Sequence, residues 1–86
     1  MNIVEVVQRV WSQVLETYVK EDSDFFVLGG DSLSAILAAS ALTKELELPA
    51  ELETDLVVQL FVNPRPGDYA NWLTSALEHL AGIDEA

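Results

Sequence analysis

Gly29, Gly30, Asp31 and Ser32 stand directly before an apolar helical segment, inside the run Phe25-Phe26-Val27-Leu28-Gly29-Gly30-Asp31-Ser32-Leu33. The two glycines let the backbone turn sharply and keep its approach clear of side chains. Asp31 has the side chain of a helix N-cap. Ser32 then falls in the first helical turn, its hydroxyl directed out of a loop-to-helix corner. A helix start favours negative charge, through its free N–H groups and its dipole. The arrangement suits a serine that bears a phosphate ester, with Gly30 and Asp31 supporting the loop around it. The competing use is structural: a Gly-Gly-Asp-Ser loop that only caps a helix.

Other chemistries fail on residue type. A serine-hydrolase elbow needs Gly-x-Ser-x-Gly, and Ser34 stands where the second glycine would be. The single histidine, His79, lies near the far end and is expected on the solvated side of the last helix. The chain has no cysteine, so a disulfide scaffold and a thiolate metal site are excluded, and one histidine excludes a multi-histidine site. Glu45, Glu47, Glu51, Glu53 and Asp55 are oddly spaced across Pro49 and do not form a metal site. They either steer basic partners or keep a connector solvated.

With 86 residues, half of them hydrophobic, a single domain over residues 1–86 with a small core is expected. No apolar run reaches bilayer length, and the N-terminus lacks the features of a signal peptide, so a cytoplasmic protein without membrane partners is expected. Fifteen acidic residues against four basic ones give a net charge of −11. Nucleic acid is therefore not an expected ligand. Partners should present basic or apolar patches, or the acidity serves solubility alone.

Three segments have helical spacing. From Asn2 to about Tyr18, Val4, Val7, Trp11, Val14 and Tyr18 recur at three and four residues, flanked by Ile3, Val10 and Leu15. Glu21 to Asp24 form a polar loop, after which Phe25 and Phe26 should pin the loop to the core. Ser32 to about Leu46 reads as a second helix, uncharged between Asp31 and Lys44 and rich in alanine. Pro49 forces a boundary, and Glu47 to Thr54 is an acidic connector. A short helix capped by Thr54 or Asp55 should run to Phe61, with Leu56, Leu60 and Phe61 facing the core. The run Asn63 to Gly67 breaks it. A last helix from Asp68 to about Leu80 carries Tyr69, Trp72, Leu73, Ala76, Leu77 and Leu80 on its apolar side. Gly82 should end it and leave a frayed tail. Trp11 and Trp72 read as core or core-rim residues. The fold class is all-α: a bundle with three longer helices and a short third helix.

The chain resembles the phosphopantetheine-dependent carrier proteins, and its Gly29-Gly30-Asp31-Ser32 form is most like the peptidyl or aryl carriers of non-ribosomal peptide synthesis. Val10-Trp11-Ser12-Gln13-Val14-Leu15 is similar to the family's first helix. Asp22 to Leu28, ending in Asp24-Phe25-Phe26-Val27-Leu28, is similar to its acidic loop, and Leu60-Phe61-Val62-Asn63-Pro64 to the Leu-Phe-x-x-Pro motif that closes its short third helix. Tyr69-Ala70-Asn71-Trp72-Leu73 falls where its fourth helix packs. Ordered motifs at compatible spacing are more specific than Asp-Ser alone. Three departures stand out. Leu37 occupies a position that is often basic in peptidyl carriers, the connector from Leu46 to Phe61 is longer than usual, and Arg65 replaces the threonine that often follows the proline. The last helix must then use another cap, for which Asp68 is the candidate. These departures bear on which enzymes dock.

The resemblance implies a four-helix carrier protein that is not itself an enzyme. It implies that a phosphopantetheinyl transferase attaches 4′-phosphopantetheine from coenzyme A to Ser32, and that an adenylating or acyl-loading enzyme then charges the arm. Downstream condensation or tailoring enzymes take the amino, aryl or acyl cargo. A fatty-acid or polyketide acyl carrier is the nearest alternative, and an unmodified acidic four-helix adaptor is the other. A monomer is expected, and a chain that opens at Met1 without a flanking linker suggests a free-standing carrier, although a domain excised from a larger synthetase would look similar. Leu33 and Ile36 lie one and four places beyond Ser32 on its helical face, and Leu37 borders them. They are the candidate partner-binding residues; burial in the core is the competing use.

Overall fold

The computed structural model describes residues 2–85, and side chains through Leu80. Helices α1 (Ile3–Leu15), α2 (Ser32–Glu45), α3 (Glu53–Val62) and α4 (Pro66–Glu85) follow in order, with a 3₁₀ turn at Ala50–Leu52, and the described residues contain no strand. The all-α bundle with a short third helix is the architecture expected from the periodicity.

The packing follows from which residues are small. Helix α2 lies against both α1 and α3, and α1 also packs on α4. Ala35, Ala38 and Ala39 are fully buried on α2, so small side chains let the neighbouring helices approach closely. Around them close Val6, Val7, Val10 and Trp11 of α1, Leu42 of α2, Leu56 and Leu60 of α3, and Tyr69, Ala70 and Leu73 of α4. Trp11 is the centre of an aromatic group, edge-on to Phe25 at 5.2 Å and to Tyr69 at 5.1 Å. Such contacts add about 0.5–1.5 kcal/mol each beyond buried area. Trp72 is half-buried at the rim and meets Tyr69 edge-on.

Helix boundaries depart from the spacing where hydrogen bonds redirect the chain. Asn2 caps α1 by accepting from the Glu5 amide, but the helix stops at Leu15 rather than near Tyr18. Glu16 turns left-handed at φ 54°. The Ser12 hydroxyl accepts from the Val19 amide at 3.0 Å, and the Gln8 side chain donates to the Val19 carbonyl at 3.2 Å. These bonds bury Val19 and leave Tyr18 74 % exposed. Helix α3 begins at Glu53 as a continuation of the 3₁₀ turn, with no side-chain cap, so neither Thr54 nor Asp55 caps it. Phe61 is 53 % exposed instead of facing the core.

Helix α4 starts two residues earlier than expected, at Pro66, whose fixed φ suits a first turn. Asp68 is therefore an acidic residue within the first turn and not the cap. The Glu21 carbonyl serves the exposed end, accepting from the Gly67 amide at 3.0 Å. At the other end α4 runs through Gly82 to Glu85, so the glycine does not terminate it; Ala86 lies outside the described residues.

Candidate functional site

The corner before α2 is built from the loop upward. The Asp24 carboxylate accepts from the amides of Phe26 and Val27 at 2.9 and 3.2 Å, which folds the loop back on itself. Phe25 is fully buried, and its amide donates to the Pro64 carbonyl at 2.9 Å. Phe26 is half-buried, edge-on to Phe25 and stacked on Phe61 of α3 at 4.8 Å. The aromatic pair thus pins the loop to the bundle, as the sequence implied.

The two glycines have different tasks. Gly29 adopts φ +104°, a conformation that side chains resist, and the space beside it is open. Gly30 has no such backbone requirement. A β-carbon there would overlap the Phe25 ring and lie 2.7 Å from the Phe25 carbonyl oxygen. Gly30 therefore makes room for Phe25 rather than for an incoming molecule.

Asp31 is extended, and its carboxylate accepts from the Ser34 amide at 2.8 Å, the N-cap bond expected of it. That backbone bond, then the Ser34 hydroxyl, holds the carboxyl below its ordinary value, so Asp31 is ionised near neutrality. Ser32 is the first residue of α2 and is exposed. Helix geometry gives its neighbouring amides no intrahelical partner. No formal charge follows on α2 until Lys44. An exposed primary alcohol at the positive end of a 14-residue helix, flanked by open space at Gly29, fits a covalently attached phosphodiester.

Leu33, Ile36 and Leu37 are 66, 51 and 52 % exposed; spaced three and four apart they form one stripe on α2, and Ile36 lies one turn beyond Ser32. The competing assignment to the core fails because the alanines fill that role. Sequence spacing missed a second group of exposed apolar residues: Val27 in the loop and Val58, Phe61 and Val62 on α3. The spacing of three and four within the last three was the available signal. Of the acidic residues read as steering basic partners or keeping the connector solvated, Glu45 forms an ion pair with Arg9 between α1 and α2. His79 is exposed. The described residues contain no cluster able to hold a metal ion, and none of their helices is long and apolar enough to cross a membrane.

The family model described as the phosphopantetheine attachment site matches residues 5–73. The chain belongs to this family. This carrier protein is similar to surfactin synthase subunit 3 of Bacillus subtilis (strain 168), 45 % identical over 51 residues. That match covers 56 % of the carrier and 4 % of the relative, so the carrier corresponds to a small part of a far longer chain. The cofactor of this family is 4′-phosphopantetheine, covalently attached. Carrier domains of this family work with a phosphopantetheinyl transferase and with synthetase enzymes. No solved structure matches the chain.

Proposed function

We propose that Ser32 is the residue on which the carrier bears its phosphopantetheine arm, with Gly30 and Asp31 shaping the loop that presents it. The observation that carries this reading is the exposed Ser32 hydroxyl at the capped N-terminus of α2, in open surroundings. Ser32 Oγ forms the new bond to phosphorus and loses its proton, while the nucleotide half of coenzyme A leaves. A transferase must supply the base, because the described residues of the carrier offer none beside Ser32: Asp31 is engaged as a cap, and His79 is on α4. The bound group supplies a terminal thiol, which the cysteine-free chain lacks, and so accepts amino, aryl or acyl cargo as a thioester.

The likeness to a synthase subunit supports loading by an adenylating enzyme and delivery to condensation or tailoring enzymes. Tethering raises cargo concentration at a docked enzyme into the ~mM range. The work of the whole chain, residues 1–86, is then presentation and recognition, with catalysis left to partners. Leu33, Ile36 and Leu37 form the apolar docking face beside the arm, where partners make their closest approach to Ser32. The test is incubation with coenzyme A and a broad-specificity phosphopantetheinyl transferase, followed by intact-mass measurement. Wild type should gain the mass of one phosphopantetheine, and Ser32→Ala should gain none while keeping its helical circular dichroism. Modification that persists in Ser32→Ala would assign the arm elsewhere. An unmodified wild type would favour the acidic-adaptor alternative.

A further inference from the structure

The loop that ends in Ser32 is held to the bundle by the Phe26–Phe61 stack and, nearer the serine, by the backbone and ring of Phe25. Phe25 donates its amide to Pro64 at 2.9 Å, and its own carbonyl accepts from the Gly30 amide at 3.0 Å. Its ring fills the place of a β-carbon on residue 30 and packs edge-on against Trp11. A second tie lies alongside, from the Gly67 amide to the Glu21 carbonyl. Pro64 and Pro66 fix φ on both sides of Arg65, so the α3–α4 junction is a stiff anchor. Only Asp31 separates Gly30 from Ser32. The height and tilt of the serine corner are therefore set from below by Phe25, and through it by the junction between two helices that carry no part of the corner.

We propose that Phe25 is a positioning residue for modification of Ser32, transmitting the fixed geometry of the Pro64–Pro66 junction to the attachment corner. The proposal rests on the reading of Ser32 as the modified residue. It separates two tasks in the same small region. Leu33, Ile36 and Leu37 serve docking; Phe25, which is fully buried and cannot touch a partner, serves alignment of the hydroxyl once the partner has docked. Misplacement by about 1 Å can cost about a hundredfold in rate when reacting groups must be in line.

The test compares Phe25→Leu with a control of matched thermal midpoint, Leu42→Val or Leu42→Ala. Leu42 is equally buried but ten residues beyond Ser32 on α2, about 15 Å along the helix. Transferase kinetics and amide hydrogen exchange at Gly30 and Ser34 are measured on each. Phe25→Leu should lower kcat about tenfold or more with KM for the carrier little changed, and should speed exchange at Gly30 and Ser34. The Leu42 variant should do neither. If Phe25→Leu does not fold, Gly30→Ala displaces Phe25 from the other side with the core ring kept, and the same kcat loss is expected. Equal kcat in the Phe25 and Leu42 variants overturns the proposal, as does a rise in KM alone. If wild type is not modified at all, the reading of Ser32 fails by itself. Exchange then still decides the alignment: unchanged exchange in Phe25→Leu overturns it, and selective loosening upholds the coupling of Phe25 to the corner.

Discussion

Tyr69 of α4 donates its buried hydroxyl to the carbonyl of Leu56 on α3 at 2.7 Å, joining the two helices on either side of the Asn63–Arg65 break. The loop anchor at Pro64 lies between them. Burial pushes the Tyr69 phenol well above the ordinary tyrosine value of 10.0. The unfolded chain releases this proton near pH 10 and the folded chain keeps it. The contribution is thus complete below pH 10 and is lost progressively as pH rises above it.

Tyr69→Phe should accordingly lower stability near neutrality by about 1 kcal/mol, the usual net worth of one hydrogen bond. It should also flatten the alkaline decline. Denaturant midpoints measured from pH 7 upward check both effects. A wild-type midpoint that stays level above pH 10, or a variant that declines as steeply, would refute the role given to the phenol.

Trp11 combines full burial with an indole N–H that has no hydrogen-bond partner among the described residues. A buried unpaired donor costs about 1–3 kcal/mol. Trp11→Phe removes that donor while keeping an aromatic ring beside Phe25 and Tyr69, so its loss of packing should be partly offset. Trp11→Ala has no such offset and should cost about 3–5 kcal/mol. Equal destabilisation by the two substitutions, in denaturant titrations, would contradict this account of the core.

Asp31 acts through an acceptor and a charge that can be separated. Asp31→Asn keeps an acceptor for the Ser34 amide, whereas Asp31→Ala leaves that amide unpaired. Asp31→Ala should therefore unfold more readily than Asp31→Asn at neutral pH. The lowered carboxyl pKa sets the sign of the acid effect: its contribution is present above the unfolded value of 3.8 and is lost as pH falls through the lower folded value. The gap between wild type and Asp31→Ala should narrow in that acid range. A gap that is constant down to strong acid would mean that charge contributes nothing to the cap.

How far the sequence could be read depends on whether one face of each element is distinctive. Helix α1 has a clear apolar stripe, and Val7, Val10 and Trp11 are buried where that stripe put them. Its end was not legible, because Ser12 and Gln8 redirect the chain through bonds to Val19, seven and eleven residues away. Helix α2 is apolar on every side, so periodicity could not orient it. The position of Ser32 gave a reference instead, since Ile36, four residues on, had to share its face. Phe61 was misassigned because a large aromatic beside Leu60 looks like core; its actual partner is Phe26, from a loop whose path no spacing rule predicts. The start of α4 was hidden for a similar reason: its amide is satisfied by a carbonyl from Glu21, a residue in another segment.

Ile36 gives the sharpest test of the docking face. It is 51 % exposed, one helical turn beyond Ser32, between the exposed Leu33 and Leu37. An exposed position tolerates a charge, so Ile36→Asp should change stability by no more than about 0.5 kcal/mol. A buried position would not, since an unpaired buried charge costs several kcal/mol. Interfaces draw most of their energy from a few apolar anchors, each worth about 2 kcal/mol or more when truncated. Modification or loading of Ile36→Asp should therefore fall by about tenfold or more, chiefly through KM, because the alignment of Ser32 is untouched. The net charge of −11 should in addition speed encounter with a basic partner, and added salt should slow it for wild type and variant alike. Thermal unfolding and transferase kinetics together separate the outcomes. A variant that melts far below wild type would show Ile36 to be structural, and one that melts normally and is modified at the wild-type rate would remove Ile36 from the docking face.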